Sequence, residues 1–250
     1  MSGKQFLLRN VSHSFGEVTV LEDMTLEIER GEFVAFVGPS GCGKTTLLNL
    51  LSGHFDPALG NVERNGHSRM VYQMDSLFPW WTVNENIALG LRKVADAAER
   101  EDRVREMLRL IRLDGFGGHY PHQLSGGMRQ RVELARALAG DCDTLLMDEP
   151  FSALDYMERL RLRQELARIL DERSQTVALV THDIEEATQL ADRVIVLSGR
   201  PARIRREMRI YAPRPRSVTN AEVVRAAGII LMELGIEGDA EELASPVSSD

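Results

Sequence analysis

The sequence has 250 residues, 43% of them hydrophobic and 27% charged, with a formal net charge of −8 at neutral pH. That is the balance of a globular chain long enough for one large domain, or one domain with a small appendage. The acidic excess argues against a general nucleic-acid binder, and two cysteines, Cys42 and Cys142, make neither a disulfide framework nor a CxxC zinc spacing.

In chain order, the first thirty residues alternate apolar and polar positions. Val18, Val20, Leu26 and Ile28 predict short antiparallel strands with one buried face. FVAFV, from Phe33 to Val37, is a continuous apolar run, as expected of a strand covered on both faces. A glycine-rich turn and a helix from about Lys44 follow. The spacing of Val104, Met107, Leu108 and Ile111 predicts a helix over 97–112, and a second runs over 127–139. TLLMD (144–148), TVALVT (176–181) and RVIVLS (193–198) read as three more buried strands, with helices between them at 158–170 and 184–190. This alternation predicts an α/β fold with a mostly parallel sheet. The Arg- and Pro-rich stretch 201–216 reads as an edge strand and linker with solvated charges, and a short apolar helix covers 221–234. The start, MSGKQFLLRN, lacks the apolar run of a signal peptide, and no stretch approaches the roughly 18–20 apolar residues of a membrane span.

GPSGCGKTT, from Gly38 to Thr46, fits G-x-x-x-x-G-K-[ST] and sits where that motif needs to sit, after a buried strand and opening a helix. Gly38, Pro39, Ser40, Gly41, Cys42 and Gly43 let the backbone wrap a triphosphate closely, and the helix start favours anions. Lys44 is placed to reach the β- and γ-phosphates, and the Thr45 hydroxyl, followed by Thr46, to ligate Mg²⁺. LLMDEP ends a buried strand with two carboxylates. Asp148 suits the magnesium shell, and Glu149 a general base or water-positioning group. These features together predict a P-loop NTPase that binds a nucleoside triphosphate and Mg²⁺, without saying which kind.

LSGGMRQR, Leu124 to Arg131, offers a second anion-binding helix start: the Ser125 hydroxyl and the bare backbone of Gly126 and Gly127. One chain needs one such clamp for its own nucleotide, so a second makes sense on a neighbour's. Here the sequence resembles the ABC ATPase family, over nearly its whole length and in the right motif order. The resemblance implies that Phe15 stacks on adenine, Gln73 senses the metal and attacking water, and Ser125 to Gly127 form the signature loop. It further implies that SALD, ending at Asp155, crosses a dimer interface and that His182 contacts the γ-phosphate. It also implies a P-loop core, an N-terminal antiparallel β subdomain and an α-helical signature subdomain at about 75–140. These would make one ATPase domain over 1–235, with 236–250 a flexible acidic tail.

A single nucleotide-binding domain without a membrane span resembles the ATPase subunits of bacterial-type importers. QMDSLFPWWTVNENIALGL, from Gln73, resembles the nitrate/sulfonate/taurine subfamily. This implies ATP hydrolysis that powers uptake of a small anion, as a dimer of two copies on the cytoplasmic face of the inner membrane. The partners implied are permease subunits and, indirectly, a solute-binding protein, with no nucleic acid. Within that run Leu77, Phe78, Pro79, Trp80 and Trp81 form an apolar cluster, either core or a permease-docking surface. His119 and His122 have no cysteine or acidic cluster beside them and are expected to be structural or surface residues. The alternatives are a lipid or export ATPase and a soluble ABC ATPase acting on DNA or ribosomes. The latter usually carries long insertions or tandem domains, and every motif here occurs once.

Overall fold

A computed structural model describes residues 3–72, 76–173 and 175–235. The N-terminal strands are long, not short: β1 (Lys4–Phe15) and β2 (Val18–Glu29) each have 12 residues. Gly16, at φ 59°, supplies the left-handed residue of the two-residue turn between them. Register shifts between Leu8 and Val11 and again near Ser14 interrupt the period-2 pattern, which hides the strands' length from a sequence reading.

The chain continues through β3 (Phe33–Val37), α1 (Lys44–Ser52), β4 (Leu59–Arg64) and β5 (Ser68–Val71). Then come α2 (Val83–Ala88), α3 (Ala97–Leu110), α4 (Gly126–Ala139), β6 (Thr144–Asp148), α5 (Tyr156–Arg173) and β7 (Thr176–Thr181). It closes with α6 (Ile184–Leu190), β8 (Arg193–Leu197), β9 (Ile204–Arg209) and α7 (Ala221–Glu233). One sheet has the order β2-β1-β4 and is antiparallel; the other has the order β5-β6-β7-β3-β8-β9, with β9 alone antiparallel. The α/β architecture with a parallel core sheet and a separate antiparallel sheet is therefore as expected.

Strand alternation decides the two cores. Val34 and Phe36 of β3 face α1 and the antiparallel sheet, where Leu8, Ile28, Leu47 and Leu51 are fully buried. Phe33, Ala35 and Val37 face the opposite way, toward α4, α5 and α6. Because β3, β6 and β7 are parallel neighbours, their carboxyl ends converge on one edge of the sheet, where ligands gather in such folds.

Three elements were not anticipated. β4 buries only Val62, and β5 has four residues, too few to show a period. The helix α2 did have a signal, T-x-x-E: Thr82 Oγ1 accepts from Glu85 N–H while the Glu85 carboxylate accepts from Thr82 N–H. The stretch after Pro201 also needs correction. β9 is an edge strand, but Arg214 and Arg216 are not solvated. Arg216 is buried and donates to the carbonyls of Thr188, Ala191, Ile210 and Ala212, while Arg214 bonds Asp192 and lies 5.7 Å over the Phe33 ring. These two side chains fasten the approach to α7 onto α6.

Candidate active site

A cleft of 710 Å³ opens at the carboxyl end of β3 and β7. Its floor is the loop from Ser40 to Thr46, and Phe15 and Val18 form one wall. The loop leaves β3 at Gly38 and turns through Gly41 (φ 72°) and Gly43 (φ 123°). A Cβ on Gly43 would lie 2.7 Å from Val20 Cγ1. Gly43→Ala therefore strains the backbone and pushes on β2, and is expected to cost about 1–3 kcal/mol of stability, read as a lowered Tm. Gly43 caps α1 without a side chain, which leaves the first helical N–H groups available to an anion. Lys44 is buried, and its ammonium donates to the carbonyls of Gly38 (2.8 Å) and Pro39 (3.0 Å). The Cys42 thiol is buried and pushed up by that burial, so it is an inert packing group under the loop. Phe15 is half exposed and held edge-on by His13 and Phe55, at 4.9 and 5.6 Å between ring centres.

Asp148 ends β6, almost fully buried, and the Thr45 hydroxyl bonds its carboxylate. Burial pushes this carboxyl above its ordinary range, the Thr45 bond opposes, and the charge of Glu149 adds to the rise. A buried carboxylate with a hydroxyl on it is an oxygen donor pair that fits a hard divalent cation such as Mg²⁺. Glu149 Oε1 lies 2.9 Å from His182 Nδ1 at the end of β7. The Glu149 backbone is in the left-handed region, at φ 47°. Its neighbours hold it there: its N–H donates to the Val180 carbonyl at 2.8 Å, and its own carbonyl accepts from the Gln130 side chain at 3.1 Å.

Ser125 caps α4, its hydroxyl accepting from Met128 N–H, and Gly126 opens the helix. None of Ser125, Gly126 and Gly127 lines the cleft. Asp155 is exposed at the start of α5, where it accepts from Glu158 N–H. Gln73 lies outside the described residues. Its described neighbours Tyr72 and Ser76 both donate a backbone N–H to the buried Glu133 carboxylate of α4.

A sequence profile described as "ABC transporter" matches residues 21–152. The chain belongs to the ABC transporter family. It is 45% identical, over 86% of its length and 87% of the relative, to aliphatic sulfonates import ATP-binding protein SsuB 1 of Rhodococcus jostii (strain RHA1). It is 41% identical, over 81% of each chain, to taurine import ATP-binding protein TauB of Jannaschia sp. (strain CCS1). Among solved structures, the dimeric structure of MJ0796, a bacterial ABC transporter cassette, matches with a TM-score of 0.75, 34% identity, and cover of 83% of this chain and 99% of that one. The same cassette in a dimeric post-hydrolysis state, bound to ADP and Pi, matches with a TM-score of 0.73 and 33% identity. The chain is thus an ABC ATPase, an enzyme that hydrolyses ATP to drive transport, and no helix among its described residues is long and apolar enough to cross a membrane.

Two supporting features of this ABC ATPase escaped the sequence reading. Gln130, buried inside LSGGMRQR, bonds the Glu149 carbonyl, the Ser152 hydroxyl and, through its oxygen, Ala153 N–H. The signal that could have found it is a glutamine on the buried face of a helix, a residue that needs polar partners. Asp183, next to His182, caps α6 and bonds Arg159 and Arg163 of α5. Burial raises the Asp183 carboxyl, but Arg163, the Glu186 N–H and Arg159 together outweigh it and hold the group below its ordinary range. Arg159 also donates to the Leu154 carbonyl, so one guanidinium joins the 152–155 loop to the neighbour of His182. No local pattern announces this pairing, because its partners are 24 residues apart.

Proposed function

We propose that this ABC ATPase powers uptake of a small sulfonate or taurine-like anion from the cytoplasmic face of the inner membrane, where it sits peripherally on a permease. Residues 1–235 act as the ATPase domain, with the helical part over about 75–140 carrying the signature and the permease contact. The single observation that carries the reading is the cleft, which brings the phosphate loop, an exposed aromatic, Glu149 and His182 to one sheet edge, with Asp148 bonded to Thr45 of its floor. The names of the sulfonate and taurine relatives supply the solute class.

In this reading Phe15 packs adenine, and the loop Gly38–Thr46 with Lys44 binds the phosphates. Lys44 exchanges two loop carbonyls for phosphate oxygens. Thr45, Asp148 and Gln73 hold Mg²⁺, which when bound neutralises phosphate charge. Glu149 orients the attacking water and accepts its proton, and His182, hydrogen-bonded to Glu149, faces the γ-phosphate. Ser125, Gly126, Gly127 and Asp155 face a second copy of the chain and serve its ATP; their position outside their own cleft supports this. Two copies close on two ATP molecules, and loss of the γ-phosphate lets them part.

The permease contact falls on Trp80. Trp80 is 66% exposed, with its ring centre 5.6 Å from that of Phe78, whereas Leu77 is buried. Asn86, fully buried, fixes this turn by bonding Phe78 N–H and the carbonyls of Phe78, Trp81 and Thr82. A rigidly presented tryptophan is the kind of anchor that dominates protein interfaces. Trp80→Ala is expected to weaken association with the permease by about 2 kcal/mol, roughly 30-fold, while ATP affinity stays within about twofold of the parent. The check is co-purification with the permease and, in proteoliposomes, ATPase stimulation by the sulfonate-loaded binding protein. Undiminished stimulation in the variant overturns the docking surface, and no stimulation of the parent by any sulfonate or taurine overturns the solute class.

A further inference from the structure

We propose that Arg200 is a second phosphate-binding cation of this site, contributed by the turn between β8 and β9; the proposal rests on reading the cleft as the ATP site. Arg200 lines the same cleft as Lys44, Thr45 and Phe15, although it lies more than 150 residues further along the chain. Its guanidinium Nη2 donates to the Gly41 carbonyl at 2.5 Å, within the phosphate loop itself. A Cβ at position 41 would meet only that Nη2, at an ordinary contact distance of 3.8 Å, so glycine is required there by the backbone (φ 72°) and not by the guanidinium.

The turn is firmly placed. Ala202 N–H donates to the Val20 carbonyl at 2.8 Å and its carbonyl accepts from Glu22 N–H at 3.0 Å, which staples the turn to the strand behind Gly43. Ser198 Oγ accepts Arg203 N–H at 2.9 Å and lies within reach of the Gly199 and Pro201 carbonyls, so the turn is also closed on itself. Arg203, three residues on, is paired with Glu22 at 2.9 Å. Among the described residues no carboxylate pairs with Arg200, in a chain whose net charge is −8.

Lys44 and Arg200 thus share one arrangement: a cation resting on carbonyls of the loop that wraps the phosphates. A carbonyl is a weaker partner for a guanidinium than a phosphate oxygen, which Arg binds with charge assistance and two N–H groups at once. With nucleotide in the cleft, Arg200 exchanges the Gly41 carbonyl for a phosphate oxygen from the solvent side, opposite the buried Lys44.

The test is titration of the purified full-length chain with ATP, ADP and AMP by calorimetry, for the parent, Arg200→Gln, Arg200→Lys and Lys44→Ala. A phosphate-facing charge predicts losses that grow with phosphate count: about fivefold for ATP, about twofold for ADP and none for AMP. Arg200→Lys retains most of the affinity, and the deficit of Arg200→Gln shrinks at high salt. An equal loss for all three nucleotides assigns Arg200 to holding the turn and overturns the proposal, as does unchanged ATP affinity in Arg200→Gln while Lys44→Ala loses it. Unchanged affinity in Lys44→Ala as well overturns the ATP reading of the cleft itself.

Discussion

Glu149→Gln is expected to bind ATP as tightly as the parent chain and to turn it over about 10³-fold more slowly. The substitution keeps the shape of a side chain that is mostly shielded from solvent and sits 2.9 Å from His182 Nδ1. It also keeps the backbone bonds to Val180 and Gln130 that hold the residue at φ 47°. What is lost is a group able to accept a proton from water, since an amide oxygen is a far weaker base than a carboxylate. Nucleotide then enters and stays, so the variant accumulates as a closed pair of chains around ATP. Sizing with ATP shows the pair; single-turnover kinetics show the missing chemistry. Turnover within tenfold of the parent, or only monomer at high protein concentration, contradicts this assignment.

The second large effect concerns the division of one site between two chains. Lys44→Ala removes a buried ammonium from the phosphate loop and is expected to weaken ATP binding at least about 100-fold, near 3 kcal/mol. Ser125→Arg places a bulky cation at the start of α4, away from the chain's own cleft. It should leave ATP binding by the single chain within about twofold, and abolish hydrolysis because two chains no longer close. Mixing the two inactive variants makes one intact site per mixed pair, from Lys44 of one chain and Ser125 of the other, and a measurable part of the ATPase activity returns. The control is decisive: loss of ATP binding in Ser125→Arg alone would show that the serine belongs to its own chain's pocket.

The phosphate loop and the strand-end acids were legible because their chemistry is local. A buried apolar run, a glycine turn and a helix start occupy fourteen consecutive positions, Phe33 to Thr46. The helices expected at 127–139 and 184–190 form at Gly126–Ala139 and Ile184–Leu190; the second was legible from its place between two buried apolar runs. The bulged N-terminal strands were seen but judged too short, since each register shift resets the alternation that a sequence reading counts. The contacts that hold the site in shape were not legible. Gln130 to Ala153, Arg159 to Asp183 and Arg200 to Gly41 join residues 23, 24 and 159 positions apart, and nothing in the neighbourhood of either partner names the other. The burial of Arg214 and Arg216 shows the same limit: an Arg-Pro stretch reads as solvated until the carbonyls it meets are known.

The side chain of Gln130 touches two places at once, the carbonyl of Glu149 and the loop at 152–153, through the Ser152 hydroxyl and the Ala153 N–H. Two sites joined through one rigid amide cannot be tuned separately, and their coupling is reciprocal by thermodynamic necessity. If the 152–155 loop meets the second copy, as proposed, a nucleotide that displaces Glu149 alters how strongly that loop takes its neighbour, and a neighbour seated there alters nucleotide affinity by the same factor. On that proposal the Gln130 amide would set an exchange rate between nucleotide binding and self-association, one that falls toward unity with an aliphatic side chain at position 130.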